Sequence, residues 1–210
     1  ALLEKVSALN KNAYLINNGV SLSHFLKSSY EIPPNVKDLK KPVIGFVGAL
    51  FYWIDLEIFK FLSDKFPQAS IMIIGPVEKE SYKDYFQGPN IYYLGSKPYN
   101  EVPDYLNCVD ICLNPFKADQ VGHSVNPLKL YEYLVMGKAV VSSRTKEMEN
   151  FSDYIYLYSD REELISKIQL ALSESNDTSK KETRVNFARK NSWEKKVAEI
   201  EDVIEKTKQN

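Results

Sequence analysis

Cysteine is scarce. The 210 residues hold two, Cys108 and Cys112, set in one apolar run and not as a CxxC pair. That excludes a disulfide scaffold and a zinc ribbon, and leaves two buried thiols of a reducing compartment, because free cysteine packs as a small hydrophobe. Histidine is equally sparse: His24 and His123 stand far apart, no carboxylate cluster accompanies either at ligand spacing, and no DxD occurs. No metal and no cofactor are expected. Net charge is nearly absent, with 27 basic against 28 acidic residues, so no general basic field gathers nucleic acid or anionic lipid. Apolar runs are short, none approaching the ~18 residues of a membrane span. A signal peptide, an internal repeat and a low-complexity tract are also lacking. The expected location is the cytoplasm or the inner face of its membrane.

What is present is the composition of an ordinary globular domain, 44% hydrophobic and 26% charged. A chain this long buries roughly 70% of the surface that it exposes unfolded. Six short apolar runs read as strands: VIGFVG (43–48), SIMIIG (70–75), NIYYLG (90–95), DICLNPF (110–116), KAVVSS (138–143) and YIYLYS (154–159). They do not alternate, as expected of strands covered on both faces of a parallel sheet. Helical patterns separate them. Ile54, Ile58, Phe61 and Leu62 share one helical face; Asn100 is placed to cap NEVPDYLNCV; Ser159 and Glu162 form a capping box. Trp193, Val197, Ile200 and Ile204 stripe a last helix. The stretches 28–42 and 173–184 read as loops. The fold class is therefore α/β: a doubly wound, mainly parallel Rossmann-like sheet of about six strands with helices on both faces. Ligands of such sheets bind beyond the carboxyl ends of the strands, which selects the loops after Gly48, Gly75, Gly95, Asn114–Phe116 and Ser143.

The most informative segment is HSVNPLKLYEYLVMGKAVV (123–141). Ser124 or Asn126 is placed to cap a helix, Pro127 suits its first turn, and Gly137 ends it just before a strand. A helix N-terminus offers N–H groups and partial positive charge to a phosphate. Lys129, one turn in, adds a full charge; Glu132, three residues on and on the same face, can accept from ribose hydroxyls. A surface Lys–Glu pair on an amphipathic helix is the alternative on spacing alone. Lys117 and Arg144 are weaker cation candidates, and Trp53 and Asp55, just past Gly48, either face a ligand or serve packing and helix charge. His24 reads as structural or as part of a hinge.

The string N-P-L-K-L-Y-E-Y-L-x-x-G-K-x-V-V resembles the signature helix of retaining GT-B glycosyltransferases of the large family 4, and GALFYWIDLE together with SVNPLKLYEYL is most similar to the branch that builds cell-wall and surface polysaccharides. Four further segments occur in the order of that family: Asn18-Gly19-Val20 followed by Phe25, VIGFVGAL, IYYLGSKPYNEVPDYLNCVDICLNPF, and Asn191-Ser192-Trp193-Glu194. The resemblance covers most of the chain and implies one half of a GT-B fold. Residues 1–27 would be a hinge leaving an N-terminal acceptor domain, 28–175 the donor-binding domain, and 176–210 helices that pack back on the absent domain. The start at Ala1, within a helical pattern and without Met, agrees with that division.

The resemblance implies a nucleotide-diphosphate sugar as donor (UDP or GDP) and a saccharide or lipid-linked acceptor, with retention and without metal. It places the diphosphate at Ser124, Val125 and Asn126, the ribose at Glu132, the base against Lys97, Pro98 and Tyr99, and close backbone approach at Gly48. Lys129 would then act catalytically by stabilising the leaving diphosphate. Two positions depart from the family: Ser124 stands where an acid is frequent, and the loop ALFYWIDLE lacks the usual Arg and Lys. Those departures keep two alternatives in view, a non-catalytic nucleotide- or partner-binding module and an epimerase-like nucleotide-sugar protein.

Overall fold

The computed structural model describes residues 2–117 and 126–208. Each of the six apolar runs forms a strand: β1 Val43–Val47, β2 Ser70–Ile74, β3 Ile91–Tyr93, β4 Ile111–Asn114, β5 Ala139–Ser143 and β6 Tyr156–Tyr158. They build one sheet in the order β3-β2-β1-β4-β5-β6, with every neighbouring pair parallel. The order reverses between β1 and β4, so a crevice opens beyond their carboxyl ends.

The chain enters through α1 (Leu2–Ser7) and α2 (Leu22–Phe25); α3 (Glu57–Lys65) and α4 (Val102–Asn107) follow β1 and β3, and α5 (Leu128–Val135) follows β4. The last three helices are α6 (Arg161–Ser173), α7 (Thr178–Lys190) and α8 (Trp193–Lys208). Strand residues alternate between two cores. Val43, Val47, Met72, Ile74 and Val140 face α4, α5 and α7, whereas Ile44, Phe46, Ile71, Ile73 and Val141 face α3 and α6. Burying both faces is what removes the polar alternation from these strands.

Helix α5 is apolar almost all round, with Leu130, Tyr131, Tyr133, Leu134 and Val135 buried. Each such side chain contributes about 1.5–3 kcal/mol through burial. Tyr133 satisfies its hydroxyl by donating to Val47 O and accepting from Val47 N, both at 2.9 Å, which ties α5 to the end of β1. Helix α7 packs on α5, where Phe187 stacks beside Tyr131 and Arg184 and Ala188 are buried. The apolar stripe of α8 lies in solvent: Trp193, Val197, Ile200 and Ile204 are all exposed.

Several local expectations shift. Ile54 precedes α3 and pairs as an isolated antiparallel bridge with Phe116, so the helix begins only at Glu57. Asn100 caps nothing; it lies within a 3-10 turn, Tyr99–Glu101, that leads into α4. The cap of α6 is Asp160, whose carboxylate accepts from Glu163 N at 2.8 Å, while Glu163 reaches back to Ser159 N at 2.7 Å. The box therefore sits one residue later than Ser159–Glu162. The polar stretch 173–184 is mostly helical, because Asp177 caps α7 by accepting from Lys180 N. Cys112 is buried and Cys108 half-buried, both as free thiols.

Candidate functional site

Three strands end in glycine at the crevice. Gly48 N–H donates to Ile74 O at 2.9 Å and Gly75 N–H to Gly95 O at 3.0 Å, so the ends of β1, β2 and β3 are laced together. Gly75, at φ +142°, has no alternative: a Cβ there would lie 1.9 Å from Gly48 O. Gly48, at φ +153°, leaves a space that the side chain of Lys129 occupies.

Around these glycines lies a cavity of about 600 Å³, closed by α5 on one side and by the segment after β3 on the other. Gly48, Lys97, Tyr99, Asn126, Lys129 and Glu132 all line it, together with Asn18, Trp53 and Phe116. Its position is the crevice that the strand order defines.

Lys129 is a half-buried cation of this cavity. Its ammonium stands 4.1 Å from the centre of the Phe46 ring and 5.4 Å from that of Phe116, and no hydrogen bond or ion pair reaches it among the described residues. Burial lowers its pKa to about 7, an effect that the nearby Glu132 carboxylate opposes. Glu132 is buried too, and burial raises its pKa against the opposing pull of the Tyr99 hydroxyl and Lys129. Tyr99 donates to Glu132 Oε1 at 3.4 Å, and its own hydroxyl is pushed up to about 12 by burial and by that carboxylate. A cation without an anion and a carboxylate with one long hydrogen bond are thus aimed into one space.

Tyr99 is held from behind. The His24 ring stacks on it at 4.1 Å, and His24 Nε2–H donates to Tyr99 O at 2.9 Å. His24, read from sequence as structural or hinge, supports the loop that carries Tyr99. Lys97 lies over the Tyr105 ring at 5.4 Å. Pro98 is exposed, immediately precedes the 3-10 turn, and is not among the residues that line the cavity.

Asn126 is no helix cap. Pro127 takes that position, and Asn126 instead donates through Nδ2 to Glu147 at 2.7 Å while its carbonyl accepts from Asn18 Nδ2 at 2.7 Å. Ser124, Val125 and His123 lie outside the described residues. Asp55 turns away from the cavity to pair with Arg161 at 2.8 Å. Arg144 and Lys117 belong elsewhere: Arg144 bonds Ser159 and Glu149 beside β6, and Lys117 lines a separate hollow. Among the described residues no group of three or more His, Cys, Asp or Glu is placed to hold a metal ion, and no helix is long and apolar enough to cross a membrane.

Sequence reading missed Asn18 as a wall of the cavity and Tyr133 as its brace. The NGV segment pairs with the NSW segment: Val20 N–H donates to Asn191 O and Trp193 N–H to Val20 O, at 3.0 and 3.1 Å. Two segments noted separately thereby form one contact, and it carries Asn18 to the start of α5.

Comparison with known proteins agrees with this fold. The pattern of a family described as glycosyl transferase-like matches residues 56–202. TuaH of Bacillus subtilis, assigned as a teichuronic acid biosynthesis glycosyltransferase, is 26% identical over 198 residues, which are 90% of this chain and 50% of that protein. Sucrose-phosphate synthase from Thermosynechococcus elongatus superposes with a TM-score of 0.69 at 15% identity, over 99% of this chain and 57% of the synthase. HepE of Anabaena, solved with UDP and glucose, gives 0.66 at 15% identity, over 94% and 57%. The chain spans about half the length of these relatives.

Proposed function

The chain belongs to the glycosyl transferase-like family, and on that premise we propose that its cavity binds a nucleotide-diphosphate sugar whose sugar passes, with retention, to a polysaccharide or lipid-linked acceptor. The observation that carries the reading is that Lys129 and Glu132 line one cavity at the point where the strand order reverses. Glu132 accepts from the ribose hydroxyls, and the base rests by Lys97 and Tyr99. The diphosphate lies between the N-terminus of α5 and Lys129.

Negative charge grows on the diphosphate as the glycosidic bond breaks, and a fixed ammonium in a low-dielectric wall stabilises that charge. Gly48 lets the diphosphate approach the backbone beside Lys129. HepE, solved with UDP-glucose, and TuaH, assigned to teichuronic acid biosynthesis, support a UDP-sugar donor and a cell-envelope acceptor. An acceptor domain N-terminal to this chain completes the enzyme, which works in the cytoplasm or at the inner face of the membrane.

The test is thermal unfolding with UDP, GDP, ADP and UDP-glucose. A ligand at a hundredfold excess over Kd adds about 2.7 kcal/mol of stability, so a saturable rise is expected with the correct base. No rise with any of them at millimolar concentration refutes the reading.

A further inference from the structure

Where α5 begins, two asparagines wall the cavity and clasp each other. Asn18 N–H donates to Asn126 Oδ1 at 3.4 Å, and Asn18 Nδ2 donates to Asn126 O at 2.7 Å. Asn126 Nδ2 donates in turn to Glu147 Oε1 at 2.7 Å. Each of these partners has a single polarity. The Glu147 carboxylate only accepts, so it holds the nitrogen of the Asn126 amide and leaves Oδ1 facing Asn18. The Asn126 carbonyl only accepts as well, so it holds Asn18 Nδ2; the flipped amide would set oxygen against oxygen.

One atom of this clasp is left over. Asn18 Oδ1 has no hydrogen-bond partner among the described residues, and Asn18 lines the cavity. The segment behind it is anchored, since Val20 exchanges backbone hydrogen bonds with Asn191 and Trp193. Gly19 lies so close to that contact that a Cβ there would stand 3.1 Å from Asn191 O. The free acceptor is therefore held in place before any ligand arrives.

An amide oxygen selects by chemistry: it repels phosphate oxygens and pairs with an O–H or N–H donor. Its place along the cavity narrows the choice. Glu132 and Lys129 are one turn apart on α5, and Asn126, which carries Asn18, precedes the helix. A nucleotide-diphosphate sugar runs base, ribose, diphosphate, sugar; the walls run Tyr99, Glu132, Lys129, Asn18. Resting on the reading of this cavity as the donor site, we propose that Asn18 Oδ1 accepts a hydrogen bond from a hydroxyl of the transferred sugar. Asn18 is then a specificity-determining residue supplied by the entering segment, outside the sheet and its helices. A site built to accept from a hydroxyl discriminates against a sugar that lacks it, because the fixed oxygen is left unpaired.

The test is calorimetry with UDP, UDP-glucose, UDP-galactose and UDP-N-acetylglucosamine, followed by analogues of the tightest of these sugars that lack one hydroxyl at a time. One deoxy analogue is expected to bind the unaltered chain about threefold to tenfold more weakly than its parent. Asn18→Ala should weaken the parent by the same factor and leave UDP affinity within about twofold. In that variant the deoxy analogue should bind as well as the parent, an outcome that a merely structural asparagine would not give. Equal losses of UDP and UDP-sugar affinity would assign Asn18 to the ribose or to the frame and overturn the proposal. A hydroxyl effect that persists in Asn18→Ala overturns it too, as does the absence of any hydroxyl effect in the unaltered chain. If UDP binds and Asn18→Ala changes neither ligand, Asn18 alone is removed and the donor site stands. If no nucleotide binds the unaltered chain, the donor reading falls and the proposal falls with it.

Discussion

A Cβ on residue 48 would lie 2.8 Å from Lys129 Nζ and 3.0 Å from Lys129 Cε, so the lysine side chain fills the volume that Gly48 leaves empty. The end of β1 and the first turn of α5 interlock through a missing side chain, and the Tyr133–Val47 hydrogen bonds hold them in register. The result is an ammonium packed on ring faces, desolvated, with room beside it for an anion.

With the diphosphate placed as proposed, that lysine should make donor binding depend on pH. Its proton is held with a pKa of about 7 against an ordinary 10.5, and a diphosphate beside it raises that value. UDP-glucose affinity is therefore expected to be level below about pH 7 and to fall by up to about tenfold per pH unit above it. Calorimetry in buffers of unequal ionisation enthalpy should show proton uptake on the alkaline side, and Lys129→Met should abolish it. Equal affinity on both sides of neutrality would place the diphosphate elsewhere.

The same lowered pKa also acts on folding. Between about pH 7 and the ordinary lysine range the unfolded chain holds a proton that the folded chain releases, so this group makes stability rise with pH across that window. Below it the desolvation cost is fully present. Lys129→Met should raise the melting temperature most at acid and neutral pH, with the gain shrinking as pH climbs.

Glu132→Gln should separate stability from binding. The folded pKa of Glu132 is raised by burial, so its cost is absent below the unfolded carboxylate range and grows as pH rises through the folded value. Glutamine removes that cost, and the variant should melt higher at neutral pH. Nucleoside binding should weaken by about tenfold or more, because a hydrogen bond to a charged group is worth ~1.5–3 kcal/mol. Melting curves and UDP titrations on one preparation give both values; unchanged UDP affinity would exclude Glu132 from the ribose site.

Gly48→Ala and Gly75→Ala should fail differently. At Gly75 the new Cβ meets backbone, Gly48 O at 1.9 Å, so the strand ends must part and the melting temperature should drop sharply. At Gly48 it meets the far end of a flexible lysine, so the fold should survive with a backbone cost of order 1–3 kcal/mol, while Lys129 is pushed from its seat and UDP-glucose affinity falls. Similar melts for both variants would show that the two glycines do not differ as their neighbours suggest.

Near α6 the limits of local reading are visible. Ser159-x-x-Glu162 and Asp160-x-x-Glu163 both satisfy the pattern of a capping box. The second forms, because Asp160 is in the extended conformation of a cap and its charged carboxylate is the stronger acceptor for an N–H. Asn126 was equally suited to cap α5, yet its side chain is drawn to Glu147 and to the entering chain at Asn18. Capping rules rank residues by what each can do locally, and a long-range partner changes the ranking.

What the amino-acid order determined by itself is the set of strands, their burial on both faces, and the helix that carries Lys129 and Glu132. Hydrophobic runs, glycine stops and i, i+3 spacing act within one element, where chain geometry is already known. What the tertiary structure alone decided is that Gly48 makes room for Lys129, that His24 backs Tyr99, that Asn18 reaches Asn126, and that Asp55 leaves the site for Arg161. These contacts join residues far apart in the chain. Their geometry depends on strand order and on the close approach of backbones, neither of which is written in the local spacing of side chains.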